Sequence, residues 1–233
     1  NAQSVQVYGG EDAATPDYGK VYISIKAKSG SNLTEVTKTS LVQSLKSFAV
    51  ASVTPVIIDP ETTFITLETT FKYDSSATTK DVSTLETNVI EAITGYNTDT
   101  LENFTGMFRY STVGKTIDGA DSSILSNITK VKMYKYITPT LSSGLKYTLS
   151  FNNAFYNPHS GHNSSAGGIV SSTGFKINND SSTNEHFLDD DGAGNIRVYY
   201  LSGTTRIYTD STFGTINYTT GEIILTSANI TSI

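Results

Sequence analysis

Two short runs carry the residue types that could do chemistry. In Pro158-His159-Ser160-Gly161-His162-Asn163 the His-x-x-His spacing would put both imidazoles on one metal ion if the run were helical. Ser160 and Gly161 argue against a helix and no third ligand is in view, so solvated loop histidines are the plainer expectation. Asp189-Asp190-Asp191-Gly192-Ala193-Gly194-Asn195 gathers hard oxygen ligands around a glycine turn, with Asp189 and Asp191 two residues apart, as a calcium loop does. The closing carboxylate of such a loop is missing, because Val198 to Leu201 already reads as strand. An acidic β-turn is therefore expected, with no metal and no cofactor.

Nucleophilic catalysis finds no better footing. Serines abound, but no Gly-x-Ser-x-Gly elbow occurs with a His and a carboxylate in a workable order. Gly167-Gly168 and Ser172-Thr173-Gly174 lack the Gly-Lys-Ser/Thr that closes a phosphate loop. Glu11 and Asp12 read as a solvated turn before a strand. The residues point away from an enzyme.

Composition narrows the class further. The 233 residues, 37% hydrophobic, suffice for one large or two ordinary domains. With 22 acidic against 16 basic residues the net charge is −6, and no basic cluster exceeds the alternating Lys130, Lys132 and Lys135, so nucleic acid is a poor partner. The absence of cysteine removes disulfides and thiolate chemistry. No apolar run reaches membrane-spanning length and no signal peptide opens the chain, which reads as an excised fragment.

Hydrophobic periodicity gives the elements that must position these residues. Val21, Ile23 and Ile25 alternate with Tyr22, Ser24 and Lys26 as a half-buried strand. A helix follows, with Asn32 as cap, Glu35 in the first turn, and an apolar stripe of Leu33, Val36, Leu41, Leu45, Phe48 and Ala49. Pro55 and Pro60 confine Val56-Ile57-Ile58 to an edge or a bend. Phe64 to Tyr73 alternates as a long strand. A second helix carries Val82, Leu85, Val89, Ile90 and Ile93 and is expected to stop at Gly95. A shorter helical pair spans Thr98 to Ile117 with a break near Gly106 or Gly114. Ile128 to Ile137 is a third long strand. These elements predict an α+β layer domain over residues 19–138, helices on one sheet face, after an extended segment over 1–18.

Beyond Pro139 the apolar residues come in short bursts separated by turn residues, without a helical period. Residues 139–233 read as a β-rich domain of sandwich or barrel-like form, truncated at its end, with hairpins at Ser202-Gly203 and Thr220-Gly221. Asn157 to Gly168 is expected to be a loop and the most mobile internal segment.

Several segments also carry a likeness. Tyr8-Gly9-Gly10-Glu11-Asp12-Ala13, the Pro16 to Lys26 strand, Asn97 to Arg109, and Ile117-Asp118-Gly119-Ala120-Asp121-Ser122-Ser123-Ile124 resemble the C-terminal region of the sixth-gene-product baseplate wedge proteins of T-even-like contractile-tailed bacteriophages, related to the J-like baseplate family. The likeness is strongest over residues 4 to 137 and thins afterwards to the Gly214 to Ile223 hairpin. It implies a structural virion protein assembled in the host cytoplasm. It implies no catalytic residues, and a ring of wedges around the tail tube that rearranges on contraction. It further implies a homodimer that also contacts other wedge proteins, for which Tyr199, Tyr200, Ile207 and Tyr208 are the chosen anchors. A carbohydrate-binding or host-recognition β module is the alternative, motivated by 14 tyrosines and a loop-rich second half.

Overall fold

The computed structural model describes residues 2–13, 16–30, 32–48, 53–159, 161–166, 168–178, 180 and 184–233. The chain divides into two compact units, Asn1–Lys132 and Met133–Ile233. The first mixes helices with strands and the second is β-rich, so the molecule is broadly α+β with strand predominating.

In the first unit, β1 (Ala2–Gly9) pairs antiparallel with β2 (Lys20–Ala27), Val7 opposite Ile23. The turn between them depends on Gly10, where an added Cβ would fall on the carbonyl of Asp17. Asp17 then holds the start of β2, accepting from Lys20 Nζ at 2.6 Å and Tyr22 Oη at 3.1 Å. A crossover through α1 (Glu35–Lys46) brings β3 (Thr54–Ile58) parallel to β2, so Pro55 sits in an edge strand, as its missing amide requires.

Two details of α1 depart from the expected pattern. Its cap is Thr34, whose Oγ1 accepts from Thr37 N at 3.3 Å, because Thr34 and not Asn32 immediately precedes the first helical residue. The expected apolar stripe is also split: Leu33, Leu41 and Leu45 are half-buried, Val36 is 80% and Phe48 89% exposed, and Ala49 lies outside the described residues.

The expected single sheet is in fact two. β4 (Phe64–Tyr73) pairs with β5 (Ile124–Tyr134) in a separate ribbon, marked by Thr69 Oγ1 at 3.1 Å from Thr129 Oγ1. Alternation along a strand says which side chains share a face but not which strand lies alongside. α2 (Val82–Tyr96) and α3 (Tyr110–Asp118) pack together, and Val89, Val113, Ile117 and Ile124 form a core with Leu67, Phe71, Ile93 and Phe108 against it. Asp81 caps α2 through Thr84 N at 2.9 Å. Gly95 does not end it: the helix runs through Tyr96 into one wider π turn over Asn97–Leu101. The break comes at Gly106, where a Cβ would crowd the carbonyls of Thr100 and Leu101, while Gly114 stays inside α3.

Among the described residues the second unit forms one six-stranded sheet, which fits the barrel-like and not the sandwich form of the two expected. Its order is β6 (Gly144–Ser150), β11 (Glu222–Ser232), β10 (Thr205–Asn217), β9 (Asn195–Ser202) and β8 (His186–Asp190), with β7 (Lys176–Ile177) also on β11. All these pairings are antiparallel. Gly203 (φ 64°) and Gly221 (φ 70°) make the two expected hairpin turns. Register shifts in β10 on either side of Asp210, and in β11 between Leu225 and Ala228, are the irregularities that let one sheet curl over the core of Ile196, Val198, Ile216, Ile223, Leu225 and Ile230. The expected loop at 157–168 contains a short helix, α4 (His162–Ala166), whose Asn163 is fully buried.

Candidate functional site

Strand pleating sorts the candidate residues onto two faces of the β8-β9-β10 sheet. Asp189 pairs across with Arg197, Phe187 with Tyr199, and Tyr199 with Tyr208, so these share one face with Arg206. Asp189 is 2% exposed and fully engaged. It accepts from Arg197 Nε at 2.9 Å and Nη2 at 3.2 Å, from Arg206 Nη1 at 2.6 Å, and from Tyr208 Oη at 2.9 Å. The guanidiniums also lie over rings, Arg197 4.2 Å from the Tyr208 centroid and Arg206 4.7 Å from that of Tyr199. Such contacts are worth about 0.5–1 kcal/mol each where water still reaches them. The result is a cross-strand ladder in which one buried carboxylate fixes two arginines.

Asp190 turns to the opposite face and ties down a loop. Its Oδ1 accepts from the amides of Ile169 at 2.6 Å and Val170 at 2.8 Å, and its Oδ2 from Tyr218 Oη at 2.6 Å. Burial, reinforced by the Asp190 carboxylate, pushes the Tyr218 hydroxyl well above the ordinary tyrosine range. Gly168 (φ 84°) is required where the loop meets Asp190, since a Cβ there would lie 2.7 Å from Oδ1.

Asp191 stays within its own turn. It accepts from Ala193 N at 2.7 Å, Asn195 N at 3.0 Å and Asn195 Nδ2 at 2.6 Å. Burial alone would raise its carboxyl, but these donors overcome that and hold it below the usual range. The three consecutive aspartates thus face three different sets of donors: the arginine pair, the loop amides, and the local turn.

The histidines follow the same logic. His162 Nδ1 lies 3.2 Å from His159 Nε2 with the rings edge-on, and Tyr156 packs against His162. Among the described residues no group of three His, Asp or Glu side chains could hold a metal ion. His186, 1% exposed, lies with Nε2 3.0 Å from Asp180 Oδ2 and its ring edge-on to that of Tyr200.

The four chosen anchors do not share a face. Tyr199 is buried under Tyr208, whereas Ile207 lies opposite Tyr200 on the reverse side. Phe187, Arg197 and Arg206 were not singled out from the sequence, although a signal existed: Arg197-Val198-Tyr199 and Arg206-Ile207-Tyr208 repeat Arg-x-Tyr, which on adjacent strands puts two guanidiniums and two phenols on one face.

Comparison with known proteins settles the family. Residues 1–58 match the family described as "Baseplate structural protein gp6, C-terminal domain I", and residues 61–136 match "Baseplate structural protein gp6, C-terminal domain III". The chain belongs to the gp6 baseplate family. Domain I of gp6 corresponds to β1, β2, α1 and β3, and domain III to β4 through β5, so the two-sheet division of the first unit follows the family's own domains. The chain is also similar to "Baseplate wedge protein gp6" of Enterobacteria phage T4, 31% identical over 150 residues, which is 62% of this chain. It spans only 22% of that relative's length. The ladder around Asp189 lies beyond both matched gp6 segments.

Proposed function

We propose that this chain is a structural, non-catalytic part of a contractile-tail baseplate wedge, acting through contacts with other baseplate proteins in the virion. The carrying observation is that two gp6 C-terminal domain families match in succession along its first 136 residues. The site agrees with that reading, because its carboxylates and arginines are spent on one another and hold strands and loops in place.

We further infer a closed two-fold dimer, the commonest way for a protein to repeat a contact, within a ring that links neighbouring wedges and rearranges on contraction. Assembly takes place in the host cytoplasm. Ile207 and Tyr208 are the exposed members of the four anchors, with Tyr199 supporting Tyr208 from beneath. A stable contact of this kind buries at least about 1,200 Å² in total.

Sedimentation at about 50 μM should give twice the 25.1 kDa chain mass. Ile207→Asp, at an exposed anchor outside the Asp189 network, should return the chain to a monomer without lowering its melting temperature by more than a few degrees. A wild-type chain that stays monomeric and binds no other wedge protein overturns the assembly reading.

A further inference from the structure

β1 is an outer strand of its sheet, and its side away from β2 has no strand partner among the described residues. An open edge of this kind is a template for another strand unless charge or proline blunts it. The remaining outer strands are blunted: β3 holds Pro55, β6 Lys146, β7 Lys176, β8 two aspartates, and both strands of the β4-β5 ribbon carry lysine. β1 reads Ala-Gln-Ser-Val-Gln-Val-Tyr-Gly and carries neither. Val5 and Val7 stand 51% and 58% exposed on one face, opposite Ile25 and Ile23, and Ile23 is in turn opposite Ile57. An uncharged aliphatic row therefore runs across the sheet and stops in solvent at β1. The strand is tied down before any partner arrives. Gln3 Nε2 donates to the Thr98 carbonyl at 3.4 Å, Ser4 Oγ accepts from Phe104 N at 3.3 Å, and the Tyr8 ring stacks on Tyr22 with centroids 5.6 Å apart.

We propose that β1 pairs antiparallel with β1 of a second copy of this chain, about a two-fold axis at Gln6. Val5-Gln6-Val7 reads the same in both directions. In that register Val5 meets the partner's Val7, Val7 meets the partner's Val5, and Gln6 meets the partner's Gln6. The aliphatic rows of the two sheets join into one, and the two three-stranded sheets become a single sheet of six. Complementarity of the strand to itself selects a second copy as the occupant. An unlike strand with a charge opposite either valine would carry that charge into the aliphatic row. Residues 4–8 on each side give a contact well under the roughly 1,200 Å² of a stable interface. It stays open at about 50 μM and forms near 1 mM, or where chains already held side by side raise the effective concentration. The contact is additional to the dimer through Ile207 and does not rest on the family assignment.

The test compares the unaltered 233-residue chain at about 50 μM and about 1 mM by amide NMR. The higher concentration should move the signals of residues 4–8 and leave those of β10 in place. The same response from a chain that is monomeric at the lower concentration keeps this contact while removing the one through Ile207. Gln6 is exposed, and Gln6→Lys or Gln6→Glu sets like charges against each other at the axis, so each variant alone should lose the response. An equal mixture of the two variants should regain it, with association at least roughly tenfold stronger than that of either alone. Regain on mixing reports pairing at Gln6 and not an effect on folding, and the unaltered chain carries the first comparison by itself. Signals of residues 4–8 that ignore concentration, a response confined to other strands, or a mixture no different from its components overturns the proposal and leaves the edge to an unlike partner.

Discussion

The two units of this chain satisfy buried carboxylates in opposite ways. In the first, Asp121 takes its donors from near in sequence and from one lysine: Ser123 N at 3.0 Å, Ser123 Oγ at 2.7 Å and Lys80 Nζ at 2.6 Å. In the second, Asp189 draws on Arg197, Arg206 and Tyr208 from two neighbouring strands, and Asp190 reaches back to Ile169 and Val170 and forward to Tyr218. A locally satisfied carboxylate stabilises a turn, whereas one satisfied across strands fixes register and holds a loop against the sheet. The Ser123 part of the first kind leaves a mark in a short stretch of sequence, whereas the Lys80 contact, from a residue 41 positions away, does not. The second exists only once the sheet has formed.

The sharpest way to break this contrast is Asp189→Ala. Removing the shared anion leaves two guanidiniums and a phenol without their acceptor, and such losses cost about 3–5 kcal/mol in buried networks. Arg206 is partly exposed and can recover water, so the lower end of that range is expected, read as a drop in the urea midpoint of the second unit. A change under about 1 kcal/mol would mean that the ladder rests on ring packing alone.

Gly214→Ala tests whether the curl of the sheet depends on close backbone approach. A Cβ at that position falls on the carbonyl of Ile224, so a loss of about 1–3 kcal/mol is expected. An unchanged melting temperature would show that β10 and β11 can separate further without cost.

Thr34→Ala should cost about 1 kcal/mol through the lost cap of α1, while Asn32→Ala should be nearly silent. Helix content followed by circular dichroism through a thermal melt distinguishes the two, and equal losses would return the cap to Asn32.

The smallest effect at neutral pH belongs to Lys80→Met. The Lys80 ammonium and the Ser123 donors hold the Asp121 carboxyl far below the usual carboxylate range. A depressed folded-state pKa contributes stability that is complete above the unfolded value near 4 and is lost as pH falls through the folded one. Melts of the wild type should therefore be flat from about pH 7 to 5 and fall below about pH 4. Lys80→Met should make that acid decline shallower, and an unaltered pH profile would remove Asp121 from the comparison.

How much could be read from the chain follows the same division. The alternation from Phe64 to Tyr73 matches β4 residue for residue, and Gly203 and Gly221 mark their hairpins, because both signals are contained in a few neighbouring residues. The third long strand is harder to bound: it begins at Ile124, four residues before the alternation starts at Ile128, and it stops at Tyr134. Gly95 reads as a helix stop yet stays helical, because the chain continues into the π turn over Asn97–Leu101, which ends at Glu102. The candidate site was half legible. Asp189, Tyr199 and Tyr208 stood out by type, but placing Tyr199 and Tyr200 together ignored the pleat that sends them to opposite faces.

The sequence by itself determined the likeness to the gp6 family, most strands and both hairpin turns. Each depends on residue type and short spacing, which no folding step can alter. Only the tertiary structure decided that the first unit holds two sheets, that the second is one curled sheet, and that three adjacent aspartates serve three separate donor sets. Strand partners are chosen by which apolar faces can be buried together over long separations, and a carboxylate's role depends on whichever donors that choice brings within about 3 Å.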